Sequence, residues 1–433
     1  MASHYAPAST SAVSGPSFAV ERLRVLLLWL TGASSAIVFI EPSPYELISL
    51  LTIIVFALSG LTLSPTLMPL AFLLMLINIG YSLSASQVIG EQGVIIWLMT
   101  SWYLALTAVF FAAMLGANTQ ARLDAITRGC VVAGIIASLV AIVGYFRIFP
   151  GANDLLLLYD RARGTFKDPN VLGAFLVFPT LLVLQRLITG NASQAARSAI
   201  LLGLFAVALL LSFSRAAWGQ VVYTAVVALA LTFLTSRSEP LRLRIVLLTI
   251  AGAVVLVIFI VALVSIDAVA VMFKERASLQ TYDVNEQGRF ARHAMGAIFA
   301  LDVPLGIGPL QFNKYFTEDP HNSYLNAFMA GGWLSGVCYP ALVALTLFYG
   351  LRCALTRTPW QSTAIIVYAG YFGVATESVI IDSDHWRHAF LLLGLLWGLI
   401  AATHRYVARA DARTAVAPWA PNPATLARHE HPA

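Results

Sequence analysis

The residues able to do chemistry gather in a few short runs. In EDPHNSYLNAF, His321 directly precedes an apolar stretch. It therefore stands at the mouth of a helix, where an imidazole can take a proton near neutrality and where the helix N-terminus favours anions. In ESVIIDSDHWRHAF, Asp382, Asp384, His385, Arg387 and His388 fall close together after Glu377. Carboxylate beside histidine is the arrangement that orients an imidazole or binds a metal. A solvated cap on an apolar helix explains the same composition.

The remaining runs are rich in arginine. Arg215, in LLLSFSRAAWGQVV, is the lone charge between Arg197 and Arg237. With a turn near 213–216 it lies at a membrane interface; without one it lies inside the bilayer, at ~2.5–3.5 kcal/mol. Snorkelling is the simple alternative, but neighbouring Ser212 and Ser214 suit an anion site. YDRARGTFKDPN brings Arg161, Arg163 and Lys167 just before another apolar stretch, with Asp168 or Asn170 as helix cap. Interfacial anchoring is the competing reading of that run. VNEQGRFARHAMGAIFALD has helical periodicity, with Phe290, Ala294, Ala297, Ile298 and Leu301 on one stripe. Arg289, Arg292 and His293 share another face, and Asp283 with Glu286 has capping-box spacing. Such a segment is either an interfacial helix or a paired-guanidinium phosphate clamp.

These runs must be positioned by membrane helices. Of the 433 residues, 59% are hydrophobic and only 11% charged, with a mean hydropathy of +0.80, whereas a soluble domain is about a quarter charged. That excludes a soluble enzyme, a disordered chain and a secreted disulfide scaffold. Apolar stretches at roughly 25–40, 46–64, 66–85, 94–116, 126–146, 170–188, 197–213, 216–236, 243–266, 327–351, 362–381 and 386–404 predict about twelve spans. The first ~20 residues do not read as a cleavable signal peptide. Cys130, Cys338 and Cys353 lack metal-site spacing and give no sign of a disulfide.

With the N-terminus inside, the inner segments hold 15 of the 26 Lys/Arg but only five of the 21 Asp/Glu, the bias expected of cytoplasmic loops. Basic loops on one membrane side, not nucleic-acid binding, then account for the net charge of +5. The expected organisation is a cytoplasmic segment over 1–24, nine spans over 25–266 with an outer segment at 147–169, a large outer helical loop at 267–326, three spans over 327–405, and a disordered cytoplasmic tail over 406–433. Both termini are then cytoplasmic. Every chemistry-bearing run falls on the outer side, where several arginines imply a polyanionic ligand, most simply a lipid-linked diphosphate.

RARGTFKDPNVLGAFL (161–176), SFSRAAWG (212–219), GRFARHAMGAIFALDVPLGIGPLQF (288–312) and PHNSYLNAF (320–328) resemble, in order and spacing, the bacterial O-antigen ligases and their polymerase and protein O-oligosaccharyltransferase relatives. The resemblance implies a GT-C-like all-α polytopic membrane glycosyltransferase of the bacterial inner membrane with its active site facing the periplasm. It would transfer O-antigen from undecaprenyl diphosphate to a sugar hydroxyl of lipid A–core oligosaccharide, by inverting transfer without cofactor or metal. His321 takes the family's catalytic histidine position, and Arg215 and Arg289 its diphosphate arginines, with Arg161, Arg163 and Arg292 as companions. The family's acidic residue near the last span falls on Asp382 or Asp384, and spacing does not choose between them. An O-antigen polymerase and an oligosaccharyltransferase stay open, the latter disfavoured by the short C-terminal tail. A transporter of an anion or lipid-linked glycan is the reading from a different class, although transporters place such charges near the bilayer midplane.

Overall fold

A computed structural model describes residues 18–40, 42–277 and 288–416. Among the described residues the chain is all-α apart from one hairpin with two-residue strands. Its helices are α1 (Phe18–Ser34), α2 (Pro44–Leu58), α3 (Met68–Ala85), α4 (Val94–Ala113), α5 (Thr119–Tyr145), α6 (Ala152–Leu156), α7 (Pro169–Thr189) and α8 (Ala192–Leu211). There follow α9 (Arg215–Thr235), α10 (Glu239–Val264), α11 (Asp267–Ala277), α12 (Arg289–Asp302), α13 (Phe312–Tyr315), α14 (Ser323–Leu355), α15 (Gln361–Glu377) and α16 (Arg387–Val416). Each of the twelve expected apolar stretches coincides with a helix. Among the described residues, nine of these are long and apolar enough to cross a membrane; α1, α2 and α15 have 17, 15 and 17 residues. The protein is a polytopic all-α membrane protein.

Local chemistry sets the helix boundaries. Asp168, rather than Asn170, caps α7, accepting from the Asn170 amide at 2.6 Å, and Pro169 fills the first helical position, where no amide is needed. Asn191 and Gln194 form a reciprocal capping box on α8, each side chain accepting from the other's amide at 3.0 Å. Asn322 caps α14 through the Leu325 amide at 3.0 Å. α16 continues to Val416, because YVARADARTAV is rich in the strong helix formers Ala and Arg. Residues 406–416 are thus helical where a disordered tail was expected; 417–433, like the expected Asp283/Glu286 capping box, lie outside the described residues.

The most extensive helix–helix contacts are α3 against α14, α1 against α5, and α4 against α16. Gly129 permits the second contact, since a Cβ there would strike the Trp29 carbonyl. At one end, basic residues close the helices. Arg122 grips Glu21 with two bonds of 2.7 and 2.6 Å and donates to the Met114 carbonyl at 2.7 Å. Arg24 donates to the Ser59 carbonyl at 2.5 Å, and Arg405 to that of Leu115 at 3.1 Å. These cations meet the carbonyls that helix C-termini leave free.

The opposite end carries the irregular structure. Between α5 and α7, the hairpin pairs Leu157 with Ala162 and Leu158 with Arg161. Its two loop residues, Tyr159 and Asp160, both have positive φ, of 53° and 54°, as a tight two-residue hairpin requires. Between α12 and α14, residues 303–311 dock into a break within α14. Gly332 there has φ 64° and ψ −165°. The Trp333 amide donates to the Pro304 carbonyl at 2.9 Å, and the Ile307 amide to that of Met329 at 2.8 Å.

Candidate active site

A cavity of about 480 Å³ opens at this irregular end. Val38, Ile96, Phe166, Phe175, Phe312 and Leu391 form apolar walls, while Lys167, Asp319, Asn326, Asp382, Asp384 and His385 supply polar groups. Six chain segments contribute to it, from the α1–α2 connection to the start of α16, so the site exists only in the folded bundle.

His321 stands at its rim. Its neighbours Asp319 and Pro320 line the cavity, as does its partner Asp382. His321 Nδ1 lies 3.1 Å from Asp382 Oδ2, and the other oxygen of Asp382 accepts from the Asn322 amide at 3.0 Å. The imidazole is two-thirds buried, with one third of its surface exposed. Its backbone has φ 47°, a left-handed conformation that few residues without glycine's freedom adopt and that needs surrounding support. The loop between α15 and α16 provides that support. The Ser323 amide donates to the Ser378 carbonyl at 2.8 Å, the Ser383 amide to Ser323 Oγ at 2.7 Å, and Asn326 Nδ2 to Asp384 Oδ2 at 3.0 Å.

The two candidate aspartates are therefore distinct in role. Asp382 holds His321. Asp384 is 9% exposed and binds Asn326 and, at 3.0 Å, Nδ1 of His385; His385 packs on Trp97 with ring centroids 4.3 Å apart.

α12 carries its apolar stripe outward. Phe290, Ile298 and Leu301 are exposed, whereas Arg292, Gly296 and Ala300 are buried. The polar, small-residue face packs on the protein and leaves the apolar face for its surroundings, as suits an interfacial helix. Arg289 Nη1 reaches the Ile380 carbonyl at 3.3 Å, two residues from Asp382. His293 Nε2 lies 2.7 Å from the Pro320 carbonyl, and burial lowers its pKa against that bond, with Arg289 lowering it further. Arg292 is not displayed beside Arg289. It is 4% exposed and pairs with Glu318 at 2.9 Å, because the inward face of α12 buries it.

The hairpin arginines meet a different turn. α8 ends at Leu211 and α9 begins at Arg215, so the connection falls at 212–214 and puts Arg215 in the first turn of α9. Phe213 within it has φ 47°. Arg161 is buried, donating through Nε to the Ser212 carbonyl at 2.9 Å and through Nη2 to Asn170 at 2.8 Å. Arg163 donates to the carbonyls of Asp154 and Leu155 at 3.3 and 3.2 Å. His321, Asp382 and Arg289 thus share one loop cluster, while Arg161 and Arg215 flank the Ser212–Ser214 turn.

Asp319 was not singled out in the sequence. It lies beside the dyad, and burial, then the Asp382 carboxylate, raises its pKa while His321 pulls it down. The signal was its place two residues before His321, where Glu318 and Pro320 obscured which acid faces the cavity.

A comparison with curated proteins found no match. Residues 200–339 match the O-Antigen ligase family, a segment that includes Arg215, Arg289, Arg292 and His321 but ends before Asp382. The match covers about a third of the chain, and over this segment the chain is similar to the O-antigen ligase family.

Proposed function

We propose that the chain is an O-antigen ligase. It transfers O-antigen from undecaprenyl diphosphate to a sugar hydroxyl of lipid A–core oligosaccharide, as a twelve-span, GT-C-like glycosyltransferase of the bacterial inner membrane. The Lys/Arg partition argues that both termini face the cytoplasm and the cavity faces the periplasm. The observation that carries the reading is the Asp382–His321 pair at the cavity rim, 3.1 Å apart.

A carboxylate on Nδ1 fixes the tautomer that leaves Nε2 free to accept a proton, and stabilises the imidazolium that results. The acceptor hydroxyl attacks the anomeric carbon as its proton passes to His321. The bond from that carbon to the phosphate oxygen breaks in the same displacement, inverting the centre, and undecaprenyl diphosphate departs. Arg289 and Arg215 offset the charge building on the diphosphate; this leaving group needs no protonation. Arg161, Arg163 and Arg292 act as supports for the loops that carry the site, in keeping with their backbone and ion-pair bonds.

The test is reconstitution of the purified protein with undecaprenyl-diphosphate O-antigen and rough lipopolysaccharide, with EDTA present. A polysaccharide ladder on the lipopolysaccharide from wild type, lost in His321→Ala, supports the reading. Lengthening of the lipid-linked donor alone would make the protein a polymerase. No change in either substrate would favour transport.

A further inference from the structure

A second cavity, of about 550 Å³, lies at the far end of α7 between α5, α7 and α8. Val171 of α7 lines the first cavity and Arg186 of the same helix lines this one; fifteen residues of helix separate them by ~22 Å. The proposed glycosyl transfer makes no use of it.

Three helices each send one guanidinium to this cavity: Arg128 from α5, Arg186 from α7 and Arg197 from α8. Among the described residues, none of the three makes a hydrogen bond or a salt bridge, although Arg186 feels the Arg128 guanidinium and the Asp124 carboxylate electrostatically, whereas Arg122, Arg244 and Arg405 at the same end are all bonded to backbone carbonyls. The one acid present, Asp124, already accepts from Gln120 Nε2 at 2.9 Å. Ser198, 4% exposed, supplies a hydroxyl to the wall. Arg244 anchors the rim, donating to the Gly190 and Leu187 carbonyls at 2.7 and 2.8 Å.

Three cations from three helices, converging on an open polar cavity with one carboxylate among them, repel one another unless an anion joins them. Guanidinium forks match phosphate oxygens in geometry and charge, and basic clefts between helices at a membrane face are suited to anionic headgroups. We propose that this cavity binds a phosphate group, carried by an anionic phospholipid or free in solution. Binding there ties α5, α7 and α8 together at the end remote from the first cavity.

The test uses the full-length protein, delipidated in detergent, with native mass spectrometry. The probes are phosphatidylglycerol, diacylglycerol with the same acyl chains, and inorganic phosphate. Arg128→Gln, Arg186→Gln and Arg197→Gln are made singly and together; all three residues are exposed, so the single variants keep the fold testable. Phosphatidylglycerol should be retained at least about tenfold better than diacylglycerol, and each single variant should lose several-fold of that preference. Arginine-dependent binding of inorganic phosphate without lipid retention would support the site and assign a soluble source. Retention of phosphatidylglycerol undiminished in the triple variant, with no arginine-dependent phosphate binding, would overturn the proposal.

Discussion

Asp382 binds two consecutive residues with its two carboxylate oxygens: His321 through its imidazole Nδ1 at 3.1 Å, and Asn322 through its amide at 3.0 Å. One side chain thereby orients the imidazole and anchors the residue that caps α14, so the position of His321 and the start of that helix are set together. This relation separates Asp382 from Asp384, which the sequence spacing left equivalent.

Asp382→Asn should therefore lower kcat by about two orders of magnitude or more, because an amide can present the wrong group to Nδ1 and no longer stabilises an imidazolium. KM should change little. Asp384→Asn, whose partners are Asn326 and His385, should reduce thermal stability more than turnover. Steady-state kinetics and melting curves on both variants check this; equal kinetic losses would contradict the assignment.

Arg289→Lys and Arg215→Lys should each lose at least about tenfold in kcat/KM, since a point charge poorly replaces a bidentate fork. Arg292→Lys should leave transfer within a few-fold of wild type while lowering Tm, because Arg292 serves the Glu318 contact. Glu318 is 45% exposed and can rehydrate, whereas Arg292 is 4% exposed, so the loss falls on the buried cation, which keeps its charge but has fewer donors as lysine. A comparison of the three lysine variants in the ladder assay, with matched melting curves, checks the division.

The raised pKa of Asp319 predicts a pH-dependent strain. Between its unfolded and folded pKa values the folded state binds more protons, so stability falls as pH rises through that window. Asp319→Asn removes the cost of holding the buried charge. The variant should melt higher than wild type at neutral pH, and the difference should shrink as pH falls from the raised pKa of Asp319 to the ordinary carboxylate value and be lost below it. A difference independent of pH would show that the carboxylate is not strained.

Gly332→Ala should destabilise the protein by ~1–3 kcal/mol, the usual range for a residue forced into a disfavoured backbone region. It also has no room: the added Cβ would strike the Pro304 carbonyl and come within 2.6 Å of the Leu305 carbonyl carbon. Since residues 303–311 dock at this break, protease sensitivity between Pro304 and Gln311 should rise in the variant.

Composition and periodicity determined the membrane class and the helices, because a span must be apolar for about 20 residues and that requirement is written locally. The helix start near 168–170 and the helix after His321 were likewise legible, since capping depends on neighbours within four residues, but the pattern left open whether Asp168 or Asn170 is the cap and whether a turn precedes Arg215. Tertiary structure alone decided which charges share a site. Asp382 meets His321 across sixty residues, and the Arg292 guanidinium turns inward because α12 packs on its polar face. Asp319 faces the cavity for the same kind of reason. These choices arise from which helix faces are buried against which, and a one-dimensional pattern reports that a face exists without naming the partner that covers it.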